Sequence, residues 1–204
     1  RDHAAAGSEV FATPDAARTF DDALDNVQAM GVKIIGEDEA ARLLSARDGL
    51  LHLDLHDFDY RMVASALEAF GVGLPPDGVA VAVFDHGAAP PDVSDRQFRF
   101  DYLDSRIRRH NRLSAFAFPR GETPDIMTRL QAVEASAVRT GLPEDVPMMV
   151  MDTAPAAVLG ATLDRAVGRR EHVLVTNVGN FHTLTFRLGS GGIEGVFEHH
   201  TGFL

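Results

Sequence analysis

Apolar positions along this chain recur with two spacings, one helical and one extended. After Thr13-Pro14-Asp15, residues Phe20, Leu24, Val27 and Met30 follow at helical intervals, and Gly31 closes the run. A capping hydroxyl, a first-turn proline and an acid at the positive end of the helix dipole make that triplet a helix start. Val32 to Ile35 reads as a short strand and Glu37 to Ala46 as a second helix. Residues 49–56 alternate strictly, with Leu51, Leu53 and Leu55 on one side and His52, Asp54 and His56 on the other. This predicts a half-buried strand. His52 and His56 would lie about 13 Å apart along it and read as solvent-facing.

Asp57 is placed to cap a helix from about Asp59 to Phe70, closed by Gly71, with Leu74 to Gly78 as a loop. Val79 to Phe84 is apolar throughout, the pattern of a strand buried on both faces, and it ends in Asp85-His86-Gly87. Ser94 to Arg99 leads into an amphipathic helix through about Arg112, with Phe100, Leu103 and Ile107 on one side. Thr123-Pro124-Asp125 repeats the helix-start signature for a helix to Thr140. Val146 to Met151 is a further apolar strand, ending in Asp152-Thr153. Ala154 to Val167 is a helix rich in small residues, suited to close packing on a sheet.

The chain closes with three extended runs. Val173 to Val178 leads into the small polar turn Asn177-Val-Gly-Asn180, Phe181 to Leu188 alternates, and Gly189 to Gly192 links to Gly195-Val-Phe-Glu-His-His-Thr-Gly202. Residues 1–12, small and polar, read as a frayed start. The alternation of strands and helices predicts an α/β fold. The expected division is a region 1–145 built on strands near 49–56 and 79–85, followed by 146–204 with a strand, a helix and three antiparallel strands.

Composition narrows the chemistry. The 204 residues carry a formal net charge of −11 and are 45% hydrophobic and 24% charged, ordinary values for a globular domain. The acidity argues against nucleic acid or an anionic membrane as partner. Arg106 to Arg112 is a basic run that reads as a solvated helix surface. The longest apolar runs fall far short of the roughly 20 residues that span a bilayer, and no secretory leader is visible. A cytoplasmic location is the expectation, with homo-oligomerisation left open. There is no cysteine, which removes disulfides, thiolate metal sites, iron–sulfur clusters and a cysteine nucleophile.

Polar residues gather where predicted strands end. Asp85 and His86 follow one strand, and ligands collect beyond the carboxyl ends of strands in open α/β sheets. Asp152 and Thr153 stand between a strand and the amino terminus of a helix, whose free N–H groups favour an anion. Asn177, Gly179 and Asn180 form a turn that lets a ligand approach the backbone, with Thr183 just beyond. Together Asp152, Thr153, Asn177, Gly179, Asn180 and Thr183 are candidates for holding phosphate. His86, His182 and His199, with Asp85, are candidates for acid–base work.

Thr153 to Ala161 followed by Val173 to Thr183 resembles the second domain of actin-like ATPases, with the nearest echo in the hydantoinase/oxoprolinase group. Asp85-His-Gly87, Ser94-Asp-Arg96, Met151-Asp-Thr153, Asn177-Val-Gly-Asn180 and Phe197-Glu-His-His-Thr-Gly202 resemble an uncharacterised bacterial and archaeal family. That family is labelled a pyruvate formate-lyase activating enzyme and grouped with the actin-like (ribonuclease H-like) fold. The resemblance covers most of the chain. It implies a mixed sheet flanked by helices, part of a longer two-domain fold, that binds ATP or another nucleotide with Mg²⁺ or a phosphorylated small molecule. Phosphotransfer or phosphohydrolysis would be the reaction. Asn177 stands where actin-like enzymes carry the phosphate-turn Asp, which removes a carboxylate that would help hold Mg²⁺. Radical iron–sulfur chemistry, which needs clustered cysteines, is chemically untenable here.

A second reading uses the histidines differently. His86, His182, His199 and His200 lie at strand ends or turns with Asp85, Asp152 and Glu198. Three such ligands with an open position would make a hydrolytic site for a divalent transition metal, zinc or manganese, although no spacing such as His-Glu-x-x-His supports it. Neighbours His199 and His200 on a strand point to opposite faces, so at most one joins a given site. A third reading is a non-catalytic assembly module.

Overall fold

The computed structural model of the chain describes residues 2–21, 23–90, 92–179 and 182–200, with His200 by its backbone alone. Two compact units meet in sequence between Leu55 and His56. Strands on either side of residue 145, within the second unit, pair with each other.

The first unit contains α1 (Asp2–Ala5), β1 (Val10–Ala12), α2 (Pro14–Arg18), α3 (Leu24–Ala29), β2 (Val32–Ile34) and α4 (Glu37–Ala46). β1 and β2 pair in parallel, Val10 opposite Val32, and the crossover helices bury Ala17 and Val27 beside Val32. Two expectations are corrected here. Residues 1–12 include a helical turn and a paired strand. The single helix after Thr13 is two short ones, because the Asp21 carboxylate accepts from the Ala23 N–H at 2.9 Å and from Asn26 at 3.0 Å. Such local side-chain bonds compete with helical continuation. Glu9, just ahead of β1, takes Lys33 at 2.6 Å and Arg47 at 2.8 Å. Hydrogen bonds from these two cations lower its carboxyl pKa to about 2.

The predicted strand at 49–56 does not form. Leu51, Leu53 and Leu55 are 85%, 69% and 53% exposed, and no described strand pairs with them. Alternation selects a buried face only where a neighbouring strand makes a sheet to carry it.

In the second unit α5 (Tyr60–Ala69) precedes β3 (Val79–Val83), α6 (Asp95–His110), β4 (Ala117–Pro119), α7 (Thr128–Arg139), β5 (Met148–Asp152), α8 (Thr153–Thr162), α9 (Arg165–Gly168), β6 (Val173–Val178), β7 (His182–Gly189) and β8 (Gly192–His200). A mixed sheet has the order β3-β5-β4, with β5 parallel to β3 and antiparallel to β4. A second sheet is the antiparallel meander β6-β7-β8. Leu130 and Val133 of α7 pack on Val150 of β5, and α8 lies between Met151 and the inward residues Leu184 and Phe186 of the meander. The chain is therefore a mixed α/β protein. Among the described residues no helix is long and apolar enough to cross a membrane.

Other local expectations also shift. Asp59, not Asp57, caps α5 by accepting from the Met62 N–H, while Asp57 pairs with Arg129 at 2.6 Å. β3 is an edge strand with Ala80 and Ala82 exposed, rather than buried on both faces. Thr123-Pro124 does not open a helix. The Thr123 hydroxyl donates to Glu134, and α7 begins at Thr128. The helix expected over 154–167 breaks where Asp164 caps α9.

Candidate functional site

The parallel pair β3 and β5 ends at Val83 and Asp152, which lie side by side. The chain leaves β3 through Phe84, Asp85 and His86. Asp85 is buried, and its carboxylate accepts from the Gly87 N–H at 2.8 Å and from the Leu130 N–H at 2.9 Å. It thereby closes its own turn and satisfies the first turn of α7, whose dipole favours the negative charge. Gly87 has φ +81°, and a β-carbon there would sit 2.9 Å from the Phe98 ring, so glycine is required on two counts.

Asp152 turns away from capping α8. One oxygen accepts from the Asp85 N–H at 3.2 Å and the other from Arg99 Nη2 at 2.9 Å. Burial raises the Asp152 pKa against the opposing pull of Arg99, and like-charge repulsion from Glu198 adds to the rise.

Arg99 is the centre of the group. It is 3% exposed, lies in the second turn of α6, and spends its whole fork on this site. Nε reaches the two Glu198 oxygens at 3.0 and 2.8 Å, Nη1 reaches the Asp85 carbonyl at 3.1 Å, and Nη2 reaches Asp152. Burial alone would lower its pKa, but Asp152 and Glu198 outweigh that and raise it. The composition of the chain gives no hint of this role. The one signal is that Arg99 precedes Leu103 by four residues, on the face of α6 that is buried.

Glu198 and His182 arrive from the meander. Leu184 pairs with Glu198 and His182 with His200, so His182 and Glu198 are diagonal neighbours on the inward face. His182 Nε2 lies 3.9 Å from Glu198 Oε1. His86 approaches from the β3 end, and ligand atoms of His86, His182 and Glu198 all fall within 4.8 Å of one another. Phe84 walls the group, its ring centroid 4.0 Å from that of His86 and 4.5 Å from that of His182.

The sequence candidates thus divide. Asp85, His86, Asp152 and His182 come together, joined by Arg99 and Glu198. Thr153 is the first residue of α8, and that entry offers few donors because Ala154 is buried and Pro155, also buried, has no N–H. Asn177 pairs with Leu184 and shares its inward parity, and the Gly179 N–H donates to the His182 carbonyl at 2.9 Å, closing the turn between β6 and β7. Thr183 and His199 pair with each other on the outward face, where His199 is exposed. Asn180 lies outside the described residues.

A cavity of about 10 Å³ behind the guanidinium, lined by Asp85, Arg99, Tyr102 and Asp152, has room for a single water. A ligand must therefore approach from the His86 side, where the group is only half-buried. A groove of about 300 Å³ between Asn111 to Ser114, Leu159 and the β7–β8 turn contains none of these residues.

The chain belongs to the family described as "Putative pyruvate format-lyase activating enzyme (DUF1786)", whose model matches residues 1–204. No curated protein matches the chain significantly, and no solved structure does. The chain has no cysteine, so it offers no thiolate ligands for an iron–sulfur cluster.

Proposed function

We propose that this family member binds a phosphorylated small molecule, a nucleotide with Mg²⁺ included, at the strand ends gathered around Arg99, in a fold of the actin-like ATPase type. One observation carries the reading: the small polar turn after β6 runs directly into His182, and His182 stands with His86 at the carboxyl ends of the parallel strands. A phosphate held at Asn177 to Asn180 would lie beside two imidazoles placed for acid–base work. Asp152 and Asp85 act in this reading by fixing the frame, since their carboxylate oxygens are already committed to Arg99 and backbone N–H groups. Thr153 is left as the α8 residue facing an incoming phosphate. Phosphotransfer or phosphohydrolysis is the reaction class that such a set would serve.

Thermal unfolding with ATP and Mg²⁺, a phosphosugar or inorganic phosphate tests the reading. A ligand at a hundred times its Kd adds about 2.7 kcal/mol, enough to move Tm by several degrees. Asn180→Asp should reduce the gain through like-charge repulsion. No shift with any of the three probes would sink the proposal.

A further inference from the structure

The buried charges of the second unit do not balance. Among the described residues the buried ionisable side chains are Asp85, Asp152, Glu198, His182 and Arg99. Two carboxylates, Asp152 and Glu198, face one guanidinium, while the Asp85 carboxylate is held by the Gly87 and Leu130 N–H groups. Arg129 stands nearby, but it is half exposed and gives two of its nitrogens to Asp57. Burial of net charge is costly unless something compensates it. Against one guanidinium this leaves a formal excess of one negative charge beside two imidazoles, which a bound cation would offset.

We propose that His86, His182 and Glu198 form a binding site for a first-row divalent transition ion of the zinc class. Zinc takes His nitrogen and carboxylate oxygen at about 2.0–2.2 Å in tetrahedral geometry, so two ligands of one ion stand about 3.4 Å apart. His182 Nε2 and Glu198 Oε1, at 3.9 Å, are within about half an ångström of that separation. The longest of the three separations, 4.8 Å at most, needs a closure of up to about 1.4 Å, which side-chain rotation on binding would have to supply. Two histidines and one carboxylate with open positions are a donor set suited to zinc, cobalt, manganese or iron, and the lack of thiolates removes the softer ions.

The surroundings are those of a tuned metal site. Arg99 grips both oxygens of Glu198 and so fixes the carboxylate, while each oxygen keeps a second lone pair. Phe84 packs against both imidazoles and keeps one side of the group apolar. His86 is half-buried, which leaves an entry path. The inference shares the site of the proposed function but does not depend on phosphate. An ion there would turn the histidines from proton carriers into ligands and offer its open positions to a phosphate oxygen.

The test uses the full chain without a histidine tag, stripped with EDTA, dialysed against Zn²⁺ and assayed for bound metal, with Co²⁺ titrated separately and followed by visible absorption. About one equivalent of zinc and a saturable cobalt band are expected. His86→Gln and His182→Gln should each weaken binding by about a hundredfold or more, exceeding the 10–100-fold typical of outer-shell changes. His110→Gln, at the exposed end of α6, should leave it unchanged. Glu198→Gln strands Arg99 and risks the fold, so the histidine variants decide, with circular dichroism to confirm that they are folded. Less than a tenth of an equivalent in the wild-type protein, or binding that survives both histidine variants, overturns the site. Zinc binding without any shift from ATP or phosphate supports the metal site and sinks the phosphate reading. A phosphate shift in protein that takes up no metal does the reverse.

Discussion

Arg99 and Glu198, ninety-nine positions apart, meet as a buried pair with both Glu198 oxygens within 3.0 Å of Arg99 Nε. The bond ties helix α6 to the last strand of the meander, and Asp152 ties the same guanidinium to the central strand of the mixed sheet. One side chain therefore joins three elements that share no local sequence.

Removing that side chain leaves carboxylates buried without compensation. Arg99→Met is expected to cost about 3–5 kcal/mol, the usual penalty for breaking a buried pair by deleting one partner. Urea denaturation reads it directly. Arg99→Lys should be intermediate, because an ammonium keeps the charge but lacks the planar fork that reaches Glu198, Asp152 and the Asp85 carbonyl together. A loss below about 1 kcal/mol for Arg99→Met would be too small for a pair this buried.

Gly87 gives a second check on the frame. Its φ of +81° costs an L-residue about 1–2 kcal/mol, and the Phe98 ring must also give way to a new methyl group. Gly87→Ala should therefore destabilise by at least that amount. It should also shift the imidazole resonances of the adjacent His86, visible in NMR spectra.

The leucines at 51, 53 and 55 test the correction to the predicted strand. Leu53→Ala should change stability by less than about 0.5 kcal/mol, as surface substitutions do. A cost of about 2–5 kcal/mol, typical of a buried leucine, would restore the half-buried strand.

Glu9 predicts a pH response. Its folded carboxyl pKa is about 2 because Lys33 and Arg47 hold the ionised form. A depressed folded pKa gives stability that is present above the ordinary value of 4.5 and is lost as pH falls towards 2. The Glu9 side-chain carboxyl should titrate near 2 by NMR, and Glu9→Gln should flatten the acid limb of unfolding in that window.

Much of the architecture is legible in the sequence. The runs at 79–83, 148–152, 173–178 and 182–188 are strands because each is short, apolar or alternating and bounded by turn residues. The helices start and stop close to their predicted places wherever caps were read at the right residue. Several of the misplaced helix ends have a side chain that bonds elsewhere than its cap position suggests. Asp21 splits a helix, Asp59 takes the cap expected of Asp57, and Thr123 bonds to Glu134 instead of opening a helix.

The site was partly legible for the same reason. Strand ends announce themselves locally, so Asp85, His86, Asp152 and His182 could be picked out one by one. The sequence cannot say which faces meet. Strand parity puts His182 and Glu198 inward and sends Thr183 and His199 outward, once the meander has a core to turn towards. Period and capping are properties of a few neighbouring residues, and the sequence by itself determined them. The burial of Arg99 between Asp152 and Glu198 depends on the packing of α6, β5 and β8 against one another. Only the tertiary structure decided it, because the cost of desolvating those charges is met by partners far away in the chain.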